Sequence, residues 1–324
     1  MNKVKEIIDD LEKIRDKKGE KYVIDTFKNS VIASGNPHLA YYFIEKLEVY
    51  NKEEYISIII KSGNTRVMFD TMCFVDVDTK IGLTKAIIGC NDADICYLIA
   101  TRYRDVYKQL KSELERVILN KKDPDLSINY VLNFKDADIE AHKKIVLDSN
   151  KAECCYLFAK NIKGTDIEPL LDVIYNSDDL EYIVKCACYI ETCDKIRFAN
   201  KIIESKSPIY NYEFAFQVPG ADIKRHGEVV IKSKDPNYNY LYALYIYGAD
   251  VMRHGQAVIE SKDPKYNYLF ALNIKEANVV EHRMVLLNTV NEGIKQDYLS
   301  DAKLTERYEN SIIKNKILSL SKEN

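Results

Sequence analysis

Four histidines, His142, His226, His254 and His282, recur at one place in a tandem pattern, and such a ladder of imidazoles invites a metal. Distance argues against it. A zinc ion holds each ligand at ~2 Å, whereas equivalent atoms on stacked helices stand ~8–10 Å apart. The same place carries Tyr55, Leu83, Leu170 and Phe198 elsewhere in the chain. A position open to Leu, Phe, Tyr or His is a packing position, so the histidines are expected to be structural, with no metal site. Cys186, Cys188 and Cys193, with Cys154 and Cys155 earlier, match no zinc spacing and read as small buried hydrophobes. The chain contains no P-loop, no GxSxG elbow, no HExxH and no glycine-rich phosphate cradle, so neither catalysis nor a cofactor is expected.

Two other groups could recognise a partner. The chain has 24 tyrosines and no tryptophan. Tyr210, Tyr212, Tyr238, Tyr240, Tyr266 and Tyr268 fall on apolar positions and are expected in the core. Tyr189, Tyr245 and Tyr247 stand where other repeats carry Lys46, Arg102, Asn161, Gln217, Asn273, Lys163 or Lys275, so their rings are expected to reach solvent. An exposed tyrosine on a rigid helix offers a large contact area at small entropic cost. The second group lies in Thr101–Lys122, where Arg102, Arg104, Lys108, Lys111, Arg116, Lys121 and Lys122 outnumber Asp105, Glu113 and Glu115. Arg102, Arg104, Lys108 and Lys111 are the candidates for an anionic partner or nucleic acid.

The elements that would position these residues come from an internal repeat. The segments beginning at Ser205, Ser233 and Ser261 read SKSPIYNYEFAF, SKDPNYNYLYAL and SKDPKYNYLFAL, each 28 residues after the last. The same frame gives earlier starts at Ser34, Ser62, Cys90, Lys121, Ser149 and Ser177, with three extra residues in the Cys90 copy. Nine repeats thus span residues 34–288. Asp123-Pro124, Asp235-Pro236 and Asp263-Pro264 each place a capping carboxylate before a proline at the first helical position. The first helix of each repeat is expected to run about twelve residues to a left-handed C′ glycine such as Gly164, Gly220 or Gly248. A second begins at Asn51, Thr79, Asp138, Asp166, Asp194, Asp222, Asp250 or Asn278. In the irregular copy Tyr107 holds that place, and its inter-helix turn is expected to be rebuilt.

Apolar residues fall at the sixth, tenth, eleventh and fourteenth places of a repeat, as in Tyr238, Tyr242, Ala243 and Ile246, which puts them on one helical face. Alanine recurs at the eleventh place in Ala100, Ala159, Ala187, Ala215, Ala243 and Ala271, as a close helix crossing requires. The second helix ends in an apolar triplet such as Ile58-Ile59-Ile60 or Val229-Val230-Ile231. No single pair of helices can bury these faces alone, so the fold must be a stack. Residues 1–33, with Val4, Ile7, Ile8, Leu11 and Ile14 on one face, are expected to cap its start. Residues 289–324, with Leu304, Tyr308, Ile312 and Ile313, are expected to cap its end. The expected class is an all-α solenoid of nine two-helix repeats, an arc on the order of 80 Å long at ordinary helix spacing.

This arrangement resembles the HEAT-like class of α-solenoid proteins in architecture across most of the chain. The longer periods and consensus residues of tetratricopeptide and ankyrin repeats are absent. Net charge is −3 with 30% charged residues, no stretch reaches the length of a membrane span, and Met1–Arg15 is no signal peptide. The expectation is a non-catalytic scaffold in the cytoplasm that binds a protein or peptide and no membrane. A nucleic-acid-binding solenoid is the alternative. An enzyme like the HEAT-like DNA glycosylases is disfavoured by the absence of tryptophan and by the near-neutral charge.

Overall fold

The computed structural model describes residues 2–47, 49, 51–289 and 292–320, and these form 22 α-helices with no β-strand among them. The end of the expected C-terminal tail, beyond residue 320, lies outside them. The helices gather into two compact bodies, Met1–Asn150 and Lys151–Asn324, divided at the start of repeat 5. In the N-terminal body the helices Asn2–Lys18 and Glu20–Ser34 precede repeats 1 to 4. Leu11 is buried and Val4, Ile8 and Ile14 pack on the core, while Ile7 faces solvent. In the C-terminal body repeats 5 to 9 are followed by the helices Glu292–Leu299 and Ala302–Leu320, with Leu304 buried.

Each repeat supplies two antiparallel-packed helices, and the local chemistry of repeat 8 shows why. Ser233 Oγ donates to the Val230 carbonyl (2.7 Å) and accepts the Asp235 N–H (3.1 Å), folding the chain back on itself between repeats. Asp235 Oδ1 then accepts the N–H groups of Asn237 and Tyr238, which starts the first helix, Pro236–Tyr245. That helix is ten residues long and stops at an extended Ile246. Gly248 has φ of 86° but sits inside the inter-helix turn, as do Gly164 and Gly220, so these glycines turn the chain after the helix has ended. The left-handed residue that closes a helix lies after the second helix instead. It is Lys234 and Lys262 at φ 56° and 57°, in line with Lys122, Asn150 and Lys206.

The second helices begin largely where expected. Asp138, Asp194, Asp222, Asp250 and Asn278 each accept a backbone N–H at the helix start. Asn51 and Asp166 accept from Glu53 and Glu168, the first helical residues. Repeat 2 departs from the pattern. Its cap is Asp76, whose carboxylate accepts the Thr79 N–H at 2.8 Å, so the helix Val77–Gly89 starts before Thr79. Aspartate is the stronger cap, and a 3₁₀ turn at Met72–Phe74 shortens the first helix to let it act. In repeat 3 the three extra residues extend the turn as a helical segment, Arg104–Asn120, broken at Leu110 by φ −121° and ψ 22°. Leu110, and not Tyr107, therefore opens the second helix proper, and the register downstream is restored.

Four places in the repeat carry the core. At the tenth place stand Phe43, Thr71, Ile99, Tyr130, Phe158, Cys186, Phe214, Tyr242 and Phe270, all 0–1% exposed. At the histidine place Tyr55, Leu83, Leu114, Leu170 and Phe198 join the four histidines, again at 0–1%. The central residue of each apolar triplet, from Ile59 to Val230, Val258 and Leu286, is fully buried, while its neighbours are half-buried or exposed except Val117 and Ala257, which are buried too. Each such aliphatic side chain contributes ~1.5–3 kcal/mol by leaving water. The fourth place is the seventh, which the apolar pattern overlooks: Ala40, Met68, Cys96, Ser127, Cys155, Ile183, Asn211, Asn239 and Asn267 are all at 0%. Among the six tyrosines expected in the core only Tyr240 is fully buried. The others are half-buried, with Tyr212 against Tyr238 and Tyr240 against Tyr266.

The seventh place meets the histidine place inside each repeat, and their identities go together. Pairs such as Met68 with Leu83 or Ile183 with Phe198 fill five copies, repeat 4 carries Ser127 with His142, and repeats 7 to 9 carry Asn with His. Asn239 Oδ1 lies 2.8 Å from His254 Nδ1, and its amide donates to the Val230 carbonyl of the preceding repeat (2.9 Å) and to the Asp235 carbonyl (2.8 Å). Asn211–His226 and Asn267–His282 repeat this arrangement. Since the amide is spent on carbonyls, the oxygen must accept, which makes Nδ1 the protonated nitrogen of each ring. His226 stacks on Phe214, His254 on Tyr242 and His282 on Phe270, at 4.6–4.7 Å between centroids. Burial pushes the three imidazoles down from 6.5 to about 4.

Two predictions follow from this core. Folded His226, His254 and His282 refuse a proton that the unfolded chain accepts near 6.5, so stability is full above about pH 7 and falls as pH drops through 6.5 toward 4. The loss is on the order of 3 kcal/mol per ring. Urea melts across pH should show Asn239→Ile and His254→Phe each costing ~1–3 kcal/mol alone by stranding a buried polar group. The double change, which copies Ile183 with Phe198, should recover most of that loss and flatten the acid limb; additive losses would contradict the pairing. The second concerns Gly255, where a Cβ would sit 3.1 Å and 3.2 Å from the Phe270 ring and 3.5 Å from His282 Nε2. Helix propensity favours Gly255→Ala by ~0.5–1 kcal/mol, but overpacking costs ~1–3 kcal/mol, so the melting temperature should fall.

Candidate functional site

The tyrosine candidates all lie in the C-terminal body. Tyr189 ends the first helix of repeat 6 (Leu180–Tyr189), and Tyr245 ends that of repeat 8. Both are 55% exposed, and Tyr247, in the following turn, is 100% exposed. The rigid base under them is the core just described: Cys186 and Ala187 precede Tyr189 at the buried tenth and eleventh places, and Ile190 follows it, also buried. A helix packed this way must point its thirteenth residue outward.

The structure adds residues that column comparison could have found and did not. Phe216, one residue before the end of the first helix of repeat 7 (Pro208–Gln217), is 57% exposed and meets Tyr245 edge to face at 6.3 Å. Its place is held elsewhere by Glu45, Thr101 and Lys160, and by Leu132, Leu244 and Leu272, so its column is mixed. Ile196 (74%) and Met252 (61%) stand second in the second helices of repeats 6 and 8, at a place where Glu53, Glu140, Glu168 and Lys224 are found. These six apolar side chains share one edge of the repeats, between the end of the first helix and the start of the second. Between the turns of repeats 7 and 8 the edge opens into a cleft of about 520 Å³, lined by Phe216, Val218, Pro219, Tyr245 and Tyr247 among others, with no charged residue in its walls.

The aromatic edge has defined ends. Lys160 of repeat 5 places its ammonium 4.7 Å from the centre of the Tyr189 ring. In repeat 9 Asn273 occupies the thirteenth place and donates to the Tyr240 hydroxyl. Between them the chain from Cys188 to Ile196, from Phe216 to Lys224 and from Leu244 to Met252 carries Lys195 and Lys224 against Glu191, Asp194, Asp222 and Asp250. Arg197, Arg225 and Arg253, the next residue in each case, are turned to Asp172, Asn200 and Glu228 of the preceding repeat, which leaves carboxylates in excess at this edge.

The basic candidates lie in the N-terminal body and do not act as one patch. Arg102 is exposed and sits over the rings of Phe69 and Tyr103, at 5.8 and 5.9 Å. Lys111 pairs with the Asp136 carboxylate at 3.2 Å and donates to its backbone carbonyl. Lys121 is held between Asp94 and Asp123 at 2.7 and 3.4 Å. Arg104 and Lys108 are exposed one turn apart on the segment opened by the insertion. The positive excess read along the sequence is thus partly consumed by internal ion pairs.

At the histidine place Nδ1 of His226, His254 and His282 is engaged with asparagine, and His142 Nε2 lies 3.4 Å from the Glu115 carboxylate. No group of three or more His, Cys, Asp or Glu placed to hold a metal occurs among the described residues. Cys96, Cys154, Cys155, Cys186 and Cys193 are buried, and burial pushes the thiols of Cys96, Cys155 and Cys193 up to about 12. Such thiols are protonated and unreactive. No helix among the described residues is long and apolar enough to cross a membrane. Comparison of the chain with protein-family models, with curated proteins and with solved structures finds no match.

The unequal roles of the basic residues can be measured. Changing Arg104 and Lys108 together to glutamine should leave stability within ~0.5 kcal/mol, as ordinary surface positions do. Lys111→Gln should cost more, up to ~1 kcal/mol, because it removes an ion pair and a carbonyl contact. Equal effects in thermal melts of the two variants would show that Lys111 is as unengaged as its neighbours.

Proposed function

We propose that this protein is a non-catalytic binding module whose C-terminal body holds a protein or peptide on the edge formed by Tyr189, Phe216, Tyr245 and Tyr247. The observation that carries the reading is the concentration of exposed rings on one edge of consecutive repeats, where most equivalents of Tyr189, Tyr245 and Tyr247 are polar. Rings standing on a fully buried core lose little freedom on binding, and aromatic side chains dominate binding energy at protein interfaces. The uncharged cleft of repeats 7 and 8 gives such a partner a place to bury apolar groups. A cytoplasmic location accords with the reduced, buried cysteines. An anionic partner on the N-terminal body is the second reading, supported by the exposed Arg104 and Lys108.

Selection of binders from an unbiased displayed peptide library against the folded protein tests the first reading. Tyr189, Tyr245 and Tyr247 changed together to serine should leave the melting temperature close to that of the parent. Selected peptides should nevertheless bind the variant more weakly, by ~1 kcal/mol or more for each ring that anchors them. Undiminished binding by the variant, or binders that depend on Arg104 and Lys108 and weaken steeply with salt, would overturn it.

A further inference from the structure

Resting on that reading, we propose that the occupant of the aromatic edge is an extended, proline-rich segment in the polyproline II conformation, uncharged at its centre and basic at its flanks. The first argument is shape. Tyr189, Phe216 and Tyr245 supply one exposed ring from each of repeats 6, 7 and 8, on neighbouring first helices. The ends of the helices bearing Tyr189 and Phe216 are joined by Cys188 Sγ, 3.4 Å from the Gln217 carbonyl, and Phe216 touches Tyr245 directly. Rings in file suit a linear ligand better than a compact one.

Spacing and chemistry narrow the class. Successive first helices stand ~8–10 Å apart, and a polyproline II helix advances ~9 Å in its three-residue turn. The Phe216 and Tyr245 centroids, 6.3 Å apart, fall inside one such turn and would meet it together. Phe216 meets Tyr245 edge to face at an interplanar angle of 66° and stacks on Tyr212 at 5.8 Å, so three rings form one aromatic surface for a flat pyrrolidine ring. A polyproline II chain has carbonyls without internal partners, and the exposed hydroxyls of Tyr189, Tyr245 and Tyr247 are donors for them. Proline-rich ligands also arrive preordered, which suits grooves made of aromatic rings.

Charge sets the flanks. The cleft wall is uncharged, so the ligand's centre must be too. Around it Glu191, Asp194, Asp222 and Asp250 are all exposed and outnumber Lys195 and Lys224, which favours lysine or arginine beside the proline run and disfavours a nucleic-acid strand that would otherwise stack on rings.

The test is fluorescence anisotropy on the full chain with a labelled synthetic peptide of consecutive prolines flanked by arginines. Companion probes carry a glycine-serine centre with the same flanks, or the same prolines with glutamate flanks, and a labelled oligothymidine is included. Saturable binding of the arginine-flanked proline peptide is expected. It should weaken about tenfold or more in Tyr189→Ser with Tyr245→Ser, matching ~1 kcal/mol or more per ring. Phe216→Ser should weaken it as well, in a protein whose melting curve is unchanged. The glutamate-flanked peptide should bind more weakly than its arginine-flanked counterpart. Equal binding of the glycine-serine peptide, tighter ring-dependent binding of oligothymidine, or no binding of any proline probe would overturn the inference. If library selection then yields ring-dependent peptides without proline, the binding edge stands and only its ligand class is wrong; if it yields none, both fall.

Discussion

A buried imidazole must hand its proton to a partner, and in repeats 7 to 9 the arrangement of the chain around it follows from how that is done. His254 gives its Nδ1 proton to Asn239, and Asn239 can accept it only because its amide is committed to two carbonyls. One of those carbonyls belongs to Val230, at the fully buried end of the preceding repeat, so the pair that satisfies a side chain also joins one repeat to the next. The stacked ring of Tyr242 and the bare backbone of Gly227 complete the contact, since any side chain at Gly227 would meet both Tyr242 and His254. Asparagine, histidine, aromatic ring and glycine are therefore one unit of packing spread over two repeats. The full set occurs around His254 and His282; His226 keeps its asparagine and ring with Ala199 in the glycine place, His142 keeps its ring (Tyr130) with Ser127 in the asparagine place, and repeat 6 carries Ile183 with Phe198 instead.

This packing bears on function by fixing what is left over. With the seventh, tenth, histidine and triplet places consumed by the core, the residues that face outward include those at the end of the first helix, in the turn and at the start of the second. Most repeats fill that edge with charged and polar groups. Repeats 6, 7 and 8 fill it with Tyr189, Ile196, Phe216, Tyr245, Tyr247 and Met252, without benefit to the stability of the repeats beneath. Apolar surface of that kind has a cost in water, and a partner that covers it is the simplest physical reason for its presence.

Much of this was legible in the sequence, and the exceptions have physical causes. The 28-residue period, the two helices per repeat and most second-helix caps were readable because capping chemistry is local: Asp250 can be recognised from its own side chain and its distance to the next apolar face. The seventh place was missed because a buried asparagine looks like a surface residue until its partner fifteen positions on is known. Gly248 was misplaced because glycine marks a left-handed residue without saying whether the helix has already ended, and it ends three residues earlier. The insertion in repeat 3 moved the second helix from Tyr107 to Leu110, a shift that no single residue announces. Exposure of Tyr189, Tyr245 and Tyr247 was readable from their columns, whereas their company with Phe216 needed neighbouring repeats to be placed side by side.

The most direct test of the account is nitrogen-15 NMR of the imidazoles through an acid titration, because it reads tautomer and charge at the atoms on which the packing turns. The rings of His226, His254 and His282 should show a protonated Nδ1 and a bare Nε2 at neutral pH. They should stay neutral down to about pH 5, since burial holds them near 4. Rings that carry the proton on Nε2, or that titrate near the ordinary value of 6.5, would contradict the asparagine–histidine pairing and with it the core proposed to hold the aromatic edge in place.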